Sequence, residues 1–179
     1  PADTAKSSAA RAELAEVWRP YRILLDSEPS RKNAHALYDM NEEVLKAAHA
    51  LTVSFEKADG THKGKLVNQA GRQRMLSQRI AKFFLFQHAG IQVARCRTEL
   101  EEVSEEFSTA LIDLGAATRD KPAIAAELEV VAEQWHSLQS AITTRDSNLM
   151  ASARKVFTTS ENLLQRMDTA VELYARLPG

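Results

Sequence analysis

The side chains best suited to chemistry lie in one run, Leu66-Val67-Asn68-Gln69-Ala70-Gly71-Arg72-Gln73-Arg74-Met75-Leu76-Ser77-Gln78-Arg79-Ile80-Ala81-Lys82. At helical spacing, Leu66, Ala70, Leu76, Ile80, Phe83 and Phe84 make a core stripe. Val67, Gly71, Arg74 and Gln78 make a second line beside it. A glycine inside a helix costs about 1 kcal/mol relative to alanine, so Gly71 implies that something approaches the backbone closely there. Arg74 stands one turn on, directly over Gly71. Its guanidinium is a planar fork of donors suited to a planar oxyanion in a partly dry helix interface. Asn68, Ser77 and Gln78 are candidate neutral donors. The chemistry expected is therefore recognition of a small anion. Arg79 falls about 140° round the helix from Arg74, at 100° per residue. It would reach the same site only from a second subunit or through the length of its side chain. Arg72 and Lys82 are expected in solvated pairs with Glu99, Glu101, Glu102, Glu105 or Glu106.

The charge distribution singles out the same stretch. The formal net charge is −1, yet eight of the 23 basic residues fall between Gly60 and Thr98, where no Asp or Glu occurs. The other 15 stand against all 24 acidic residues, so a positive segment is set in an acidic chain. Nucleic acid is not expected as a partner, because most of the chain repels phosphate and no aromatic residues interleave the basic ones. The five histidines are scattered and none stands at metal-ligand spacing from Cys96, so no metal is expected. No Glu-x-x-His pair accompanies the carboxylates, no phosphate loop is present, and no nucleophile has an evident base. Neither a cofactor nor an enzymatic activity is expected.

The elements that must hold this run are helices. Apolar residues recur at three and four positions, and no stretch alternates strictly. The pattern predicts helices over 8–26, 31–58, 63–88, from after Gly90 to about 117, over 122–143 and over 147–176. The first should turn Leu14, Val17, Trp18, Tyr21 and Leu25 inward. Pro29 stops it, Ser30 is placed to cap the second, and Pro122 suits a first helical turn. Gly60, Gly64 and Gly90 mark breaks. A weak repeat is also present: Glu16-Val17-Trp18 matches Glu133-Gln134-Trp135, Glu42-Glu43-Val44-Leu45 matches Glu161-Asn162-Leu163-Leu164, and Phe55 matches Tyr174. The expected fold is an all-α antiparallel helical bundle, with a four-helix-bundle core, five to six helices and an internal half-repeat. It is read as one domain, 1–179, in which 1–59 is a partial first unit and 60–179 a complete second unit carrying the motif. No apolar run approaches the roughly 20 residues of a membrane span, so any membrane attachment is expected through segments outside this chain. The small, polar first residues suit either the end left by a removed secretory signal or a cut between membrane spans.

The run from Asn68 through Ala70-Gly71 and Arg74-Met75 to Arg79 resembles the signature of the PilJ-type domain. That domain is the N-terminal sensory region of type IV pili methyl-accepting chemotaxis transducers. The run is also similar to the P-box of bacterial nitrate/nitrite sensor kinases. The Trp-bearing helix and the Glu172-Leu173-Tyr174 ending extend the resemblance to most of the chain. It implies a periplasmic helical bundle, a homodimer, and nitrate or nitrite as the small anion, bound between subunits. By position, Arg74 would hold the anion, the Gly71 backbone would line the site, and Arg79 would match the later P-box arginine. Arg72-Gln73 and Leu76-Ser77 depart from the kinase pattern. A protein-interaction module of a pilus or chemoreceptor system is the alternative, as is a stand-alone periplasmic binding protein. The interaction reading requires an exposed apolar patch beside Arg72 and Lys82.

Overall fold

The computed structural model describes residues 4–144 and 148–178. These form α1 (Ala5–Leu25), α2 (Arg31–Asp59), α3 (His62–His88), α4 (Val93–Ala117), α5 (Pro122–Thr143) and α6 (Leu149–Ala175). There is no strand among the described residues. The all-α helical bundle expected from periodicity is what the chain adopts. The helix bounds fall within about three residues of those read from the sequence, except that the expected start of the last helix, Ser147, lies outside the described residues.

Local chemistry explains most of the ends. Thr4 and Ser7 form a reciprocal capping box on α1. The Ser30 hydroxyl accepts the Asn33 amide at 3.0 Å, as the sequence led one to expect. Gly60 ends α2 in the left-handed region, at φ 65°, where a side chain would be strained. Thr61 then receives the Gly64 amide on its hydroxyl at 2.9 Å. Its own hydroxyl and amide are held by Asp59, whose carboxyl is thereby kept below its ordinary pKa. Gly64, expected to mark a break, instead lies in the first turn of α3, where a Cβ would displace that exposed carboxylate. Pro122 sits in the first turn of α5, where its missing N–H leaves nothing unpaired. Asn148 caps α6 by accepting the Ala151 amide at 3.1 Å.

The chain divides into two compact units, with the boundary between Asn68 and Gln69, inside α3. In the first unit α1 packs along α2. Its seam centres on Tyr21 and Tyr38, both buried, with the Asn41 amide donating to the Tyr21 hydroxyl at 2.8 Å. Here the expected inward stripe needs correction. Tyr21 is buried, but Trp18 is 44% and Leu25 47% exposed. One helix partner covers a single strip of α1, so residues at the flanks of a wide apolar face stay open. Trp18 lies against the Tyr21 ring at 5.7 Å and no deeper.

The second unit is a four-helix bundle of α3 from Gln69, α4, α5 and α6. Its core includes Phe83, Phe107, Leu114, Leu138, Leu163, Met167 and Tyr174, all fully buried. Phe107 and Trp135 meet at 4.6 Å between α4 and α5, and the Trp135 indole donates to the Ser108 hydroxyl at 3.1 Å. Tyr174 closes α6 on α4, donating to the Leu114 carbonyl at 3.3 Å with Thr118 at 3.2 Å. Burial pushes its hydroxyl above the ordinary tyrosine value. In each unit the Trp-bearing helix packs along the helix that follows it. Trp135, at 6% exposure, is nevertheless covered where Trp18 is not.

Candidate functional site

α3 is the helix around which the site is built. Every residue from Leu66 to Gln87 is at least partly buried. The expected stripe of Leu66, Ala70, Leu76, Ile80, Phe83 and Phe84 is buried throughout. Gln73, Ser77 and Ala81 are buried as well, so the covered face is wider than the apolar stripe alone.

Two neighbours flank that face. On one side Arg72 pairs through Nε with Glu106 of α4, and Arg79 Nη2 lies 3.1 Å from Glu99 Oε2. On the other side Arg74 Nε lies 2.6 Å from Asp168 Oδ1 of α6, and the Gln78 amide donates to the Ser160 carbonyl at 3.3 Å. Each of the motif's three arginines thus already faces a carboxylate. The arginines of the positive segment's motif are balanced by carboxylates of their own bundle.

The six residues nominated from the sequence fall into distinct places. Arg74 carries a side chain 42% exposed, opposite an Asp168 that is 50% exposed. The sheltered, partly dry setting expected for its guanidinium is therefore only half realised, and its partner is a carboxylate that the sequence did not suggest. The recorded pairing runs through Nε, and the terminal nitrogens donate no hydrogen bond to any described residue. Gln78 shares the α6-facing side with Arg74. Ser77 is fully buried and donates to the Arg74 carbonyl at 2.8 Å, a bond that stays within α3. Asn68 belongs to the first unit, where its amide donates to Glu56. Arg79, only 16% exposed, is directed to α4. Its guanidinium carbon stands 5.1 Å from the Phe83 ring centre, and Lys82 Nζ stands 4.3 Å from the same ring. Within one chain Arg79 is thus turned away from Arg74, as the helical angle required. Arg72 has the carboxylate partner expected of it, whereas Lys82 is recorded over an aromatic ring.

At Gly71 the close approach that the glycine suggested is not made by this chain. A Cβ placed there would meet no heavy atom of the chain within 4 Å. No neighbouring helix of this chain presses on the backbone at that point. Gly71→Ala is therefore expected to gain the helix propensity of alanine, about 1 kcal/mol. That would raise Tm by roughly 2–4 °C for a chain of this size. Calorimetry of the anion-free protein reads this directly, and a lower Tm would show that the backbone is in close contact after all.

One residue of the run escaped sequence reasoning. Gln73 is fully buried, and neither its amide nitrogen nor its oxygen has a hydrogen-bond partner among the described residues. Leaving such a group unsatisfied costs about 1–3 kcal/mol. The available signal was its spacing of seven from both Leu66 and Ile80, a core register in which a polar residue is unusual.

Among the described residues no group of three or more His, Cys, Asp or Glu could hold a metal ion. Among the same residues no helix is long and apolar enough to cross a membrane. Fold and site together define an all-α bundle in which one arginine-bearing helix is seated between two flanking helices. The chain belongs to the PilJ family, described as type IV pili methyl-accepting chemotaxis transducer N-terminal domains, whose model matches residues 57–164. The match takes in the end of α2, all of α3, α4 and α5, and the first part of α6. It includes all six nominated residues and stops short of Asp168. No curated protein and no solved structure matches the chain. Membership makes this a sensing and signalling domain of the chemotaxis-transducer kind, and such domains are non-catalytic.

Proposed function

We propose that this chain is the periplasmic ligand-sensing domain of a chemotaxis transducer and that it takes a small oxyanion, nitrate or nitrite first, at Arg74. The observation that carries this reading is the state of that guanidinium. Its Nε stands 2.6 Å from Asp168 Oδ1 on the α3–α6 seam as an ion pair without a hydrogen bond, and its terminal nitrogens have no hydrogen-bond partner among the described residues, one turn from the open side of Gly71. An arginine whose terminal donors are not engaged offers them as a planar fork, which suits a planar oxyanion. A homodimer would bring a second copy of α3 to the same place, and Arg79 would take part only from such a copy. Anion binding at a helix seam favours one seating of the helices over another, and a displacement of α3 against α6 is the form the signal would take.

An interaction module docking through the basic helix finds less support. The large exposed apolar side chains among the described residues are Trp18, Ile23, Leu25, Val93, Ile112, Leu149, Met150 and Phe157. None of them belongs to α3, which carries Arg72 and Lys82.

The test is calorimetric titration of the chain with sodium nitrate and with sodium nitrite, alongside thermal unfolding at the same salt concentrations. Saturable heat and a Tm that rises with anion concentration are expected. Flat titrations with both anions would overturn the assignment.

A further inference from the structure

We propose that Asp168 is a charge filter for the Arg74 site, cancelling the advantage that doubly charged oxyanions would have over singly charged ones. The inference rests on the anion reading above and deepens it. Asp168 Oδ1 stands 2.6 Å from Arg74 Nε, so any anion on the terminal nitrogens of the same guanidinium binds within a few ångströms of a carboxylate. Arg72 is engaged by Glu106, and Arg79 by Glu99. Fork and filter together carry no net charge, so a ligand gains attraction from the guanidinium and loses to repulsion from Asp168. The repulsion scales with ligand charge. So does the attraction of Arg74, and Asp168 therefore cancels twice as much of that attraction for a dianion as for nitrate, which removes the preference for sulfate and hydrogen phosphate that the bare guanidinium would have. Both side chains are about half exposed, which places their interaction in a high-dielectric regime.

Asp168 also has a positioning role that a neutral side chain can keep. Asparagine has the same shape, keeps an oxygen beside Arg74 Nε and loses only the charge. A single charge–charge interaction at about 4 Å in water corresponds to roughly a five-fold change in affinity. Asp168→Asn is therefore expected to bind nitrate about five-fold more tightly and sulfate about 25-fold more tightly, the square of the first figure. The nitrate-to-sulfate preference would fall by about five-fold.

The experiment is calorimetric titration of the wild-type chain and of Asp168→Asn with sodium nitrate and sodium sulfate at constant ionic strength. Thermal unfolding without anion checks that the variant is folded. A shift of preference toward sulfate supports the filter, because a purely structural role would alter both affinities alike. If the wild-type chain binds nitrate and the substitution leaves the preference unchanged, or if wild type prefers sulfate to nitrate, the filter is overturned and the Arg74 site stands. If the wild-type chain binds no anion, the functional reading falls and takes the filter with it.

Discussion

Arg74→Ala is expected to remove the nitrate response while leaving the fold as stable as before. The two effects separate because of where the side chain sits. Its pair with Asp168 joins groups 42% and 50% exposed, and exposed pairs contribute only about 0–1 kcal/mol. At roughly 2–4 °C per kcal/mol for a chain of this length, the unliganded Tm should move by no more than about 4 °C. Binding is another matter. Hydrogen bonds to a charged group are worth about 1.5–3 kcal/mol, so losing the fork should weaken nitrate at least ten-fold and take a modest ligand out of calorimetric range. Unfolding and titration run on the same preparation read both quantities. A variant that nitrate still stabilises to the wild-type extent would place the anion somewhere other than on Arg74.

What the sequence made legible follows from the range of the interactions involved. Helix bounds depend on neighbours within one turn, so Gly60, Ser30 and Pro122 announced them. The buried stripe of α3 followed from periodicity. The carboxylates proposed for Arg72 and Lys82 were those of the next helix; the structure gives Arg72 one of them, Glu106, and sets another, Glu99, against Arg79. A short connection between α3 and α4 fixes which residues stand opposite one another, so proximity in sequence is a fair guide. Asp168 lies across the bundle on α6, two helices further along, and no local pattern sets that register. Trp18 shows a second limit. Amphipathic spacing gives the direction of an apolar face but not how much of it a neighbour will cover. Gln73 shows a third: a stripe drawn through apolar residues alone passes over a polar one in the same register. At Gly71 the propensity rule gives a cost but not its cause, and no part of this chain crowds the glycine.

The largest loss of stability is expected from Arg79→Ala, and it also decides what that residue is for. Arg79 and Glu99 are 16% and 23% exposed, far less than the Arg74 pair. Removing one partner of a buried pair costs about 3–5 kcal/mol, because the other charge is left without compensation. Partial exposure and the 3.8 Å approach of Arg95 to Glu99 reduce this, so about 2–3 kcal/mol is expected, read as a fall in Tm of roughly 5–10 °C. Adding Glu99→Gln should recover part of the loss, since it removes the stranded carboxylate, and the double-mutant cycle would show strong coupling. The alternative role suggested by the motif predicts the opposite pattern. An Arg79 serving an anion from a second subunit would lose nitrate binding on substitution with little change in Tm, and Glu99→Gln would restore nothing. The geometry favours the first outcome, because a guanidinium committed to Glu99 beside the Phe83 ring would have to abandon both contacts to reach a ligand.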